Sequence, residues 1–217
     1  MGKLIDKERQ ARARHAKEER KRRIRAEALR TFSKLPYVEV TLDAIGQRAG
    51  VKRGIASMYF GTKEELFLQL LRDELEDWYG ELEARLSAAP SSLDRGRVAH
   101  LVAATIAERT VLTRLLSLAS VVMEQNMEIM EAYRFQRWQR DRMAAVGAAL
   151  EERSGALDEG QGMRLLHLAQ LVAGACHPVA HPQGSLAVNL HDPDFAVFRI
   201  SMEEQVEEMV RGLLRHP

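Results

Sequence analysis

The stretch TLDAIGQRAGVKRGIASMYF, residues 41 to 60, constrains the fold of this chain more than any other part of the sequence. Thr41 is a candidate N-cap for a short helix, and Gly50 supplies the turn that ends it. A further short helix is expected over about residues 53 to 59. Two helices of about eight residues, joined by a turn of about three or four residues that contains glycine, predict a helix-turn-helix. The inward positions of the helix after Thr41 are Leu42, Ile45 and Ala49.

The second helix of this motif carries basic and small residues. Lys52 and Arg53 lie just before Gly54, and Ser57 follows within one turn. The helical pattern predicts that these four residues face outward, which in a helix-turn-helix is the side that enters the major groove of DNA. The residues expected to pack inward are Ile55, Met58 and Tyr59.

The charge of the chain is divided unevenly along its length. Residues 1–63 contain 17 Lys/Arg and 7 Asp/Glu, a balance of +10, although the net charge of the whole chain is only +1. Residues 64–217 therefore have a balance of −9. A basic first part favours a polyanion partner such as nucleic acid. The alternative is a set of solvated charged helices, which explains the abundance of charge but not its one-sided sign.

The chain begins with a basic arm. Residues 3–25 contain eleven Lys/Arg and few large apolar side chains, so we expect a frayed or conditionally helical segment that follows phosphates. A disordered solubilising tail is the alternative. After the arm the apolar residues become periodic, and Pro36 ends this first helix. The predicted parts of the chain are a basic arm (1–22), a helix-turn-helix domain (23–62) and a helical ligand-binding and dimerisation domain (63–217).

The rest of the chain predicts helices. A long helix runs from Lys63 to about Leu86, because its apolar residues recur at helical spacing. Apolar runs such as residues 115–123 are shorter than the roughly 20 residues needed to cross a bilayer. Since no convincing strand pattern occurs, the sequence predicts an all-α protein. Further helices are expected at about 93–107, 110–125, 127–153, 160–176 and 195–215.

A set of residues between Phe32 and Leu66 is specific as a set, although each residue alone is a weak signal. The set consists of Thr41, Ile45, Ala49, Gly50, Val51, Gly54, Tyr59, Phe60 and the run Lys63, Glu64, Glu65 and Leu66. With it, the stretch resembles the N-terminal DNA-binding domain of tetracycline-repressor-like (TetR family) transcriptional regulators. The resemblance implies an all-α homodimer, with a three-helix DNA-binding domain on a larger, variable helical domain that binds a ligand.

The resemblance also implies particular DNA contacts. Thr41 and Lys63 are expected to contact phosphates. An arginine fork pairs with guanine O6 and N7, whereas lysine is better suited to phosphate. Gly54 lets the helix backbone approach the duplex; the alternative is a helix-start residue without function. The expected groove-facing residues are Lys52, Arg53, Gly54 and Ser57.

Four positions depart from the usual pattern of the family. Pro36 stands where a glycine usually ends the first helix, and proline cannot take a positive φ. Gly46 replaces an alanine. Lys52 replaces a common Ser/Thr, and Ser57 lies where the family often has a tyrosine that contacts phosphate, so the lysine is the candidate to supply that contact.

The C-terminal part contains many methionines among polar and aromatic residues. Methionine lines adaptable pockets, although a methionine stripe at helical spacing is more often plain core. A pocket for an apolar small molecule is expected here. Its candidate residues are Met123, Asn126, Met127, Tyr133, Arg134, Trp138 and His167.

The last two predicted helices are candidates for a dimer interface. Residues 163–176 are apolar almost all round, and in 195–215 apolar residues recur at spacings of three and four. The alternative is burial within one chain. The candidate interface residues are Phe195, Phe198, Met202, Val206, Met209 and Leu213.

A cluster of metal-ligand types occurs near the end of the chain. Its spacing matches no established zinc pattern, and two prolines mark a helix end and loop, so we expect solvated loop histidines rather than a metal site. No nucleophile elbow, phosphate-binding glycine loop, HExxH or paired-carboxylate signature appears, so we expect neither an enzyme nor a bound cofactor. The cluster consists of Cys176, His177, His181, His191 and Asp192.

Together these patterns predict a cytoplasmic transcription factor that acts as a repressor and that a small-molecule effector releases from a pseudo-palindromic operator. The single cysteine fits a reducing compartment, and no export signal is apparent. One alternative is a small-molecule-binding or metabolic helical protein with an anion-binding basic tail. Another is a ligand-independent nucleoid protein.

Overall fold

The computed structural model of the chain describes residues 2–89, 92–124, 127–155, 157–182 and 184–215. All regular elements in these ranges are helices, which confirms the all-α prediction. None of the described helices is apolar over a stretch long enough to cross a bilayer. The chain divides into two compact units, Met1–Leu70 and Leu71–Pro217, called the head and the body below. The predicted boundary after residue 62 falls at the start of the helix Lys63–Ala88, whereas this division falls within that helix.

The elements of the head are α1 (Gly2–Phe32), a 3-10 turn (Tyr37–Glu39), α2 (Leu42–Arg48), α3 (Ile55–Phe60) and the first part of α4 (Lys63–Ala88). α1 continues without a break through the predicted basic arm. Its apolar face, formed by Ile24, Ala28 and Phe32, is fully buried, as the periodicity predicts. Phe67 of α4 packs edge-on against Phe32 and Tyr37, with ring centroids 5.1 and 4.9 Å apart. These contacts join α1, the 3-10 turn and α4 into one small core.

α1 ends without the glycine that usually terminates this helix in the family. The amides of Lys34 and Leu35 both donate to the carbonyl oxygen of Thr31, at 3.1 and 3.0 Å. Pro36 then takes an extended conformation, with φ −57° and ψ 146°. The fixed φ of proline suits this extended residue. Two hydrogen bonds to one carbonyl therefore close the corner that a glycine closes elsewhere.

The body contains the rest of α4 and the remaining helices. α6, α7 and α10 all pack against α8, and α10 also packs against α5, so α8 lies at the centre of the body. The elements are α5 (Arg95–Ala107), α6 (Thr110–Glu124), α7 (Ile129–Arg153), α8 (Gln161–Ala180), α9 (Ser185–Asn189), a 3-10 turn (Pro193–Phe198) and α10 (Met202–Arg215).

α7 and α8 touch backbone to backbone at two glycines. A Cβ atom on Gly147 would lie 2.4 Å from the backbone nitrogen of Met163, and one on Gly162 would lie 2.2 Å from the carbonyl oxygen of Gly147. Both distances are far below ordinary contact, so each position excludes a side chain. This crossing sets the distance between the two helices.

α8 is longer than the sequence predicts. The sequence predicts that this helix ends at residue 176, because Pro178 cannot donate a backbone hydrogen bond. The helix instead continues to Ala180 with Pro178 inside it. A proline in the last turn interrupts little of the ladder, and the buried His177 in the same turn contacts the Thr113 hydroxyl of α6 at 2.9 Å.

The predicted helix 195–215 is also wrong, because the chain forms two separate segments there. Arg199 is extended, with φ −83° and ψ 116°, and ends the 3-10 turn. The Ser201 hydroxyl then accepts a hydrogen bond from the Glu204 amide at 3.3 Å. Ser201 therefore acts as an N-cap that starts α10 anew.

Candidate nucleic-acid interface

Thr41 caps the first helix of the helix-turn-helix, as predicted. Its Oγ1 accepts a hydrogen bond from the Ala44 amide at 3.2 Å. The side chain is exposed, and a hydroxyl that accepts one bond still has its own hydrogen to donate. Thr41 can therefore cap α2 and donate to a phosphate oxygen at the same time.

Two glycines with positive φ shape the turn between α2 and α3. Gly50 has φ 68°, and the next amide, of Val51, donates back to the Gly46 carbonyl at 3.0 Å. Gly54 is the N-cap of α3, with φ 80° and ψ −13°. α3 therefore begins at Ile55, two residues later than predicted, and Arg53 lies just before the helix rather than inside it.

The missing side chain at Gly46 lets α2 and α3 approach each other. A Cβ atom at this position would lie 3.2 Å from the Cβ atom of Ala56 and 3.4 Å from a Val51 methyl group. These distances are tight, so an alanine here would push the two helices slightly apart. The glycine that departs from the family pattern thus accompanies a close crossing of the motif.

The outward residues of the motif are exposed as predicted. These are Lys52, Arg53, Gly54 and Ser57. The Arg53 side chain is 91% exposed, and its Nε lies 3.4 Å from a carboxylate oxygen of Asp43. Guanidinium and ammonium groups are thus presented together at the start of α3, where an approaching duplex would meet them.

The inward residues of α3 differ from the prediction. Met58 is 66% exposed, and Ile55 and Tyr59 are only half-buried. Ala56 and Phe60, four residues apart, fill the inward face instead. Because the left-handed Gly54 delays the start of the helix, the buried face takes a different phase from the one predicted.

Lys63 is held at the start of α4 by Tyr37. Its Nζ donates to the Tyr37 carbonyl oxygen at 3.2 Å and lies 4.0 Å from the centre of the Tyr37 ring. The Tyr37 hydroxyl donates to the Glu64 carboxylate at 3.2 Å, and burial together with this carboxylate raises the pKa of Tyr37. The ammonium group keeps further hydrogens, so the contact with Tyr37 fixes its position without using all its donors.

The body contains an open groove of about 520 Å³ between α6, α7 and α8. Two amides lie at its wall: Gln139 donates to the Gln170 side-chain oxygen at 2.8 Å, and Gln170 in turn donates to the Tyr79 hydroxyl at 3.0 Å. Burial raises the pKa of Tyr79, so its hydroxyl keeps its proton. The lining residues are Leu71, Leu116, Ser117, Ala119, Phe135, Gln136, Gln139, His167, Gln170, Leu171, Gly174 and Ala175.

Of the predicted pocket residues, His167 lines this groove. Trp138 is half-buried beside the groove. The centre of its ring lies 5.7 Å from the centre of the Phe135 ring and 4.8 Å from the guanidinium carbon of Arg72. Tyr133 and Arg134 are exposed on α7, and Met127 is half-buried before it. Asn126 lies outside the described residues, and only the backbone of Met123 is described. Sequence reasoning missed Gln139 and Gln170, because a pair of glutamines carries no periodic signal that separates it from surface polar residues.

The predicted interface residues fall into three groups: buried, half-buried and exposed. Met202 and Val206 are buried within the chain, because this face of α10 packs on α5 and α8, and their assignment to an interface is corrected. Met209 and Leu213 are half-buried. Phe198 is 57% exposed and lines an apolar pocket at the end of α8. The other lining residues are Pro178, Val179, Pro182, Asn189, Leu190 and Phe195.

Within the histidine cluster, His177 is not in the solvated loop that the sequence predicts. His177 is buried in α8, and its Nδ1 lies 2.9 Å from the Thr113 hydroxyl. Burial, and then the nearby His181 and Arg114, lower the pKa of His177 to about 4. Burial also raises the pKa of the half-buried Cys176 thiol. His177 is therefore a neutral core histidine at ordinary pH.

His181 stays close to His177, with ring centroids 4.9 Å apart, whereas His191 and Asp192 lie in the segment after α8. His191 is exposed, and the Asp192 carboxylate accepts a hydrogen bond from the Asp194 amide, which starts the 3-10 turn. Among the described side chains, the group of metal-ligand types within 4.8 Å of one another lies between α5 and α10 instead. It consists of His100, Glu203 and Glu207.

Comparison with known proteins agrees with this arrangement. Residues 72–215 match the family described as "Tetracyclin repressor-like, C-terminal domain", and residues 24–70 match "Bacterial regulatory proteins, tetR family". Over 76 residues the chain is 37% identical to the HTH-type transcriptional regulator BetI of Burkholderia thailandensis, and the matched part is 35% of this chain and 38% of that relative. The head, which contains the helix-turn-helix, and the helical body thus each match a domain of the same family. The chain belongs to the TetR family of transcriptional regulators.

Proposed function

We propose that this regulator is a homodimeric repressor, which binds a pseudo-palindromic DNA operator and leaves it when a small molecule binds the body. The observation that carries the proposal is the exposed surface of Lys52, Arg53, Gly54 and Ser57 at the start of α3. Cationic and small residues at this end of the second helix are those that reach base edges and phosphates. A metabolic protein with an anion-binding tail would have no use for this surface.

Arg53 is the residue that we expect to read a base. Its exposed ion pair with Asp43 contributes at most about 1 kcal/mol to folding, so its removal should leave the head folded. Arg53→Ala should weaken binding to the preferred operator by about 1 to 3 kcal/mol and relax its base preference, because a bidentate base contact is lost.

The operator for this test is obtained by selecting the genomic fragments that the full chain binds, and affinities are measured by fluorescence anisotropy. Asp43→Ala is the matched control, because it removes the same ion pair but keeps the guanidinium. Equal weakening of the Arg53→Ala variant on all sequences would assign Arg53 to phosphate. Selection without any enriched sequence would contradict the proposed function itself.

The groove in the body is the proposed effector site. Among the described residues, its lining contains no Asp, Glu, Lys or Arg, which favours an uncharged effector, since a buried charge needs a partner. The paired amides of Gln139 and Gln170 supply hydrogen-bonding groups in an otherwise mainly apolar wall. A screen for compounds that release the protein from the selected operator should therefore return neutral molecules more often than ionic ones.

Coupling between the groove and DNA is proposed to run along α4. This helix contributes Leu71 to the groove wall and begins with Lys63 and Glu64 in the head. An effector that favours a different position of α4 would change the separation of the two recognition helices in a dimer, and they would no longer fit successive major grooves.

The dimer is proposed to form along the exposed side of α8 and the 3-10 turn before α10. Val179 of α8 is 43% exposed, and Phe198, which is 57% exposed, lies beside it in the apolar pocket. Exposed large apolar side chains on one face favour an isologous contact with a second copy. Two recognition helices about 34 to 36 Å apart would then read half-sites about 10 bp apart.

A further inference from the structure

α1 begins well before the DNA-binding domain that the family match covers. The match begins at residue 24, whereas α1 begins at Gly2. Residues 7–23, called the α1 extension here, would add about 25 Å of helix at about 1.5 Å per residue. Alanines are the only apolar residues in this segment. The α1 extension therefore has no apolar face with which to form a core of its own or to dock on a protein.

The α1 extension has a large excess of positive charge. It contains nine Lys/Arg and three glutamates. Each glutamate is already paired within the helix: Glu8 with Arg12 at 3.7 Å, Glu18 with Lys21 at 3.9 Å and Glu19 with Arg22 at 3.0 Å. Among the described side chains, no carboxylate oxygen lies within 4.0 Å of the other cations, although Glu19 also feels the charge of Arg23. These cations are Lys7, Arg9, Arg14, Lys17, Arg20 and Arg23.

Two contacts bring the α1 extension beside the helix-turn-helix. The Lys17 ammonium lies 5.8 Å from the centre of the Tyr59 ring of α3. The Arg23 guanidinium lies beside the turn, because a Cβ atom on Gly50 would be 3.8 Å from it. The α1 extension is thus a cationic helix that passes next to the recognition helix.

We propose that the α1 extension is a second DNA-binding element, which binds backbone phosphates that flank the half-site met by α3. The proposal rests on the proposed function, because it takes α3 as the reader of the half-site. Phosphates follow one strand of B-DNA at about 3.4 Å intervals, so a helix of about 25 Å extends the contact by about seven base pairs. Regularly spaced arginines without a hydrophobic anchor give affinity for phosphates but no base preference.

The salt dependence of binding tests this proposal without knowledge of the operator. The probe is a mixed-sequence duplex of about 40 bp, and binding is followed by fluorescence anisotropy between about 50 and 300 mM KCl. The variant carries Arg9→Gln, Arg14→Gln and Arg20→Gln in the full chain. The slope of log K against log [KCl] should become shallower by up to about 2.7 for each bound protomer, and affinity at low salt should fall at least about tenfold.

Two further variants separate phosphate binding from other causes. Arg95→Gln, Arg97→Gln and Arg137→Gln change the charge of the body by the same amount at exposed positions, and should leave the slope unchanged. Arg9→Lys, Arg14→Lys and Arg20→Lys should retain it, since lysine also neutralises phosphate. Far-UV circular dichroism checks that α1 stays helical in all three variants.

The outcomes for the α1 extension and for the proposed function differ. An unchanged slope in the glutamine variant, with normal binding by the wild type, overturns the role of the α1 extension alone. Equal loss in the body variant also overturns it, because the effect would then come from overall charge. Failure of the wild type to bind any duplex would instead overturn the proposed function.

Discussion

The cost of one substitution at the start of α3 follows from backbone geometry alone. Gly54 has φ 80° and ψ −13°, and a Cβ atom built on it would meet no atom within 4 Å. Gly54→Ala therefore creates no clash, and its cost is that of a left-handed backbone in a non-glycine residue, about 1 to 2 kcal/mol. The variant must either keep this strain or rearrange the residues before α3.

The body provides a matched control for this substitution. Gly160 precedes α8 with φ 83° and ψ −13°, and a Cβ atom there also meets nothing within 4 Å. Gly160→Ala should cost the same amount of free energy in the other unit. Hydrogen–deuterium exchange should show amides about 5 to 30 times faster at the start of α3 in one variant and of α8 in the other.

Only Gly54→Ala should weaken binding to the selected operator. If the unbound protein relieves the strain by moving Lys52 and Arg53, DNA binding must restore the strained backbone, which raises Kd by up to about 30-fold. The Gly160→Ala variant should bind as the wild type does. Equal affinities of the two variants, each with faster exchange at its own site, would refute the reasoning, because the start of α3 would then not meet DNA.

The remaining predictions concern the body. Gly147→Ala should lower its free energy of unfolding by at least about 1 to 3 kcal/mol, since the new Cβ atom would lie 2.4 Å from backbone of α8; urea unfolding followed by the fluorescence of Trp78 and Trp138 measures this loss. The pKa of His177 is about 4 in the folded chain, so the unfolded chain takes up the proton first as the pH falls. The free energy of unfolding should therefore be at its full value above about pH 6.5 and decrease toward about pH 4 by up to about 3 kcal/mol. His177→Gln should flatten this dependence, and an equal slope in both proteins would contradict it.

Most of the head could be predicted from the sequence, because its determinants are local. Thr41 caps α2 through an amide three residues away, and Gly50 takes the left-handed conformation that its position at a helix end predicts. The phase of α3 could not be predicted in the same way. A helix of six residues has little periodicity, so one left-handed residue at Gly54 decides whether Met58 or Ala56 faces inward.

The groove could not be predicted, because its determinants are distant in the sequence. Gln139 and Gln170 meet only because α7 and α8 pack against each other, and Gly147 and Gly162 permit the close crossing. Neither glutamine differs in the sequence from a surface residue of an ordinary helix. His167 is among the predicted pocket residues, and it reaches the groove because it shares a face of α8 with Leu171.

The apolar stripe of α10 shows why amphipathicity alone does not identify a dimer interface. A helix with apolar residues every four positions has the same pattern whether it faces its own chain or a second copy. Here Met202 and Val206 face α5 and α8, so glutamate at Met202 should unfold the body rather than separate two protomers. Phe198 remains a candidate, because it is exposed in the chain taken alone.

A sharper test of the dimer therefore combines Phe198→Glu and Val179→Glu in one double variant. Val179 lines the same pocket as Phe198 and is 43% exposed. Like charges would then face each other across the two-fold axis, so sedimentation should show monomers while circular dichroism stays unchanged. Operator affinity should fall although the head is intact, because one protomer presents one recognition helix. Ile129→Glu, at a position that is 86% exposed on α7, is the control and should remain dimeric. A double variant that stays dimeric and binds normally would move the interface to another face of the body.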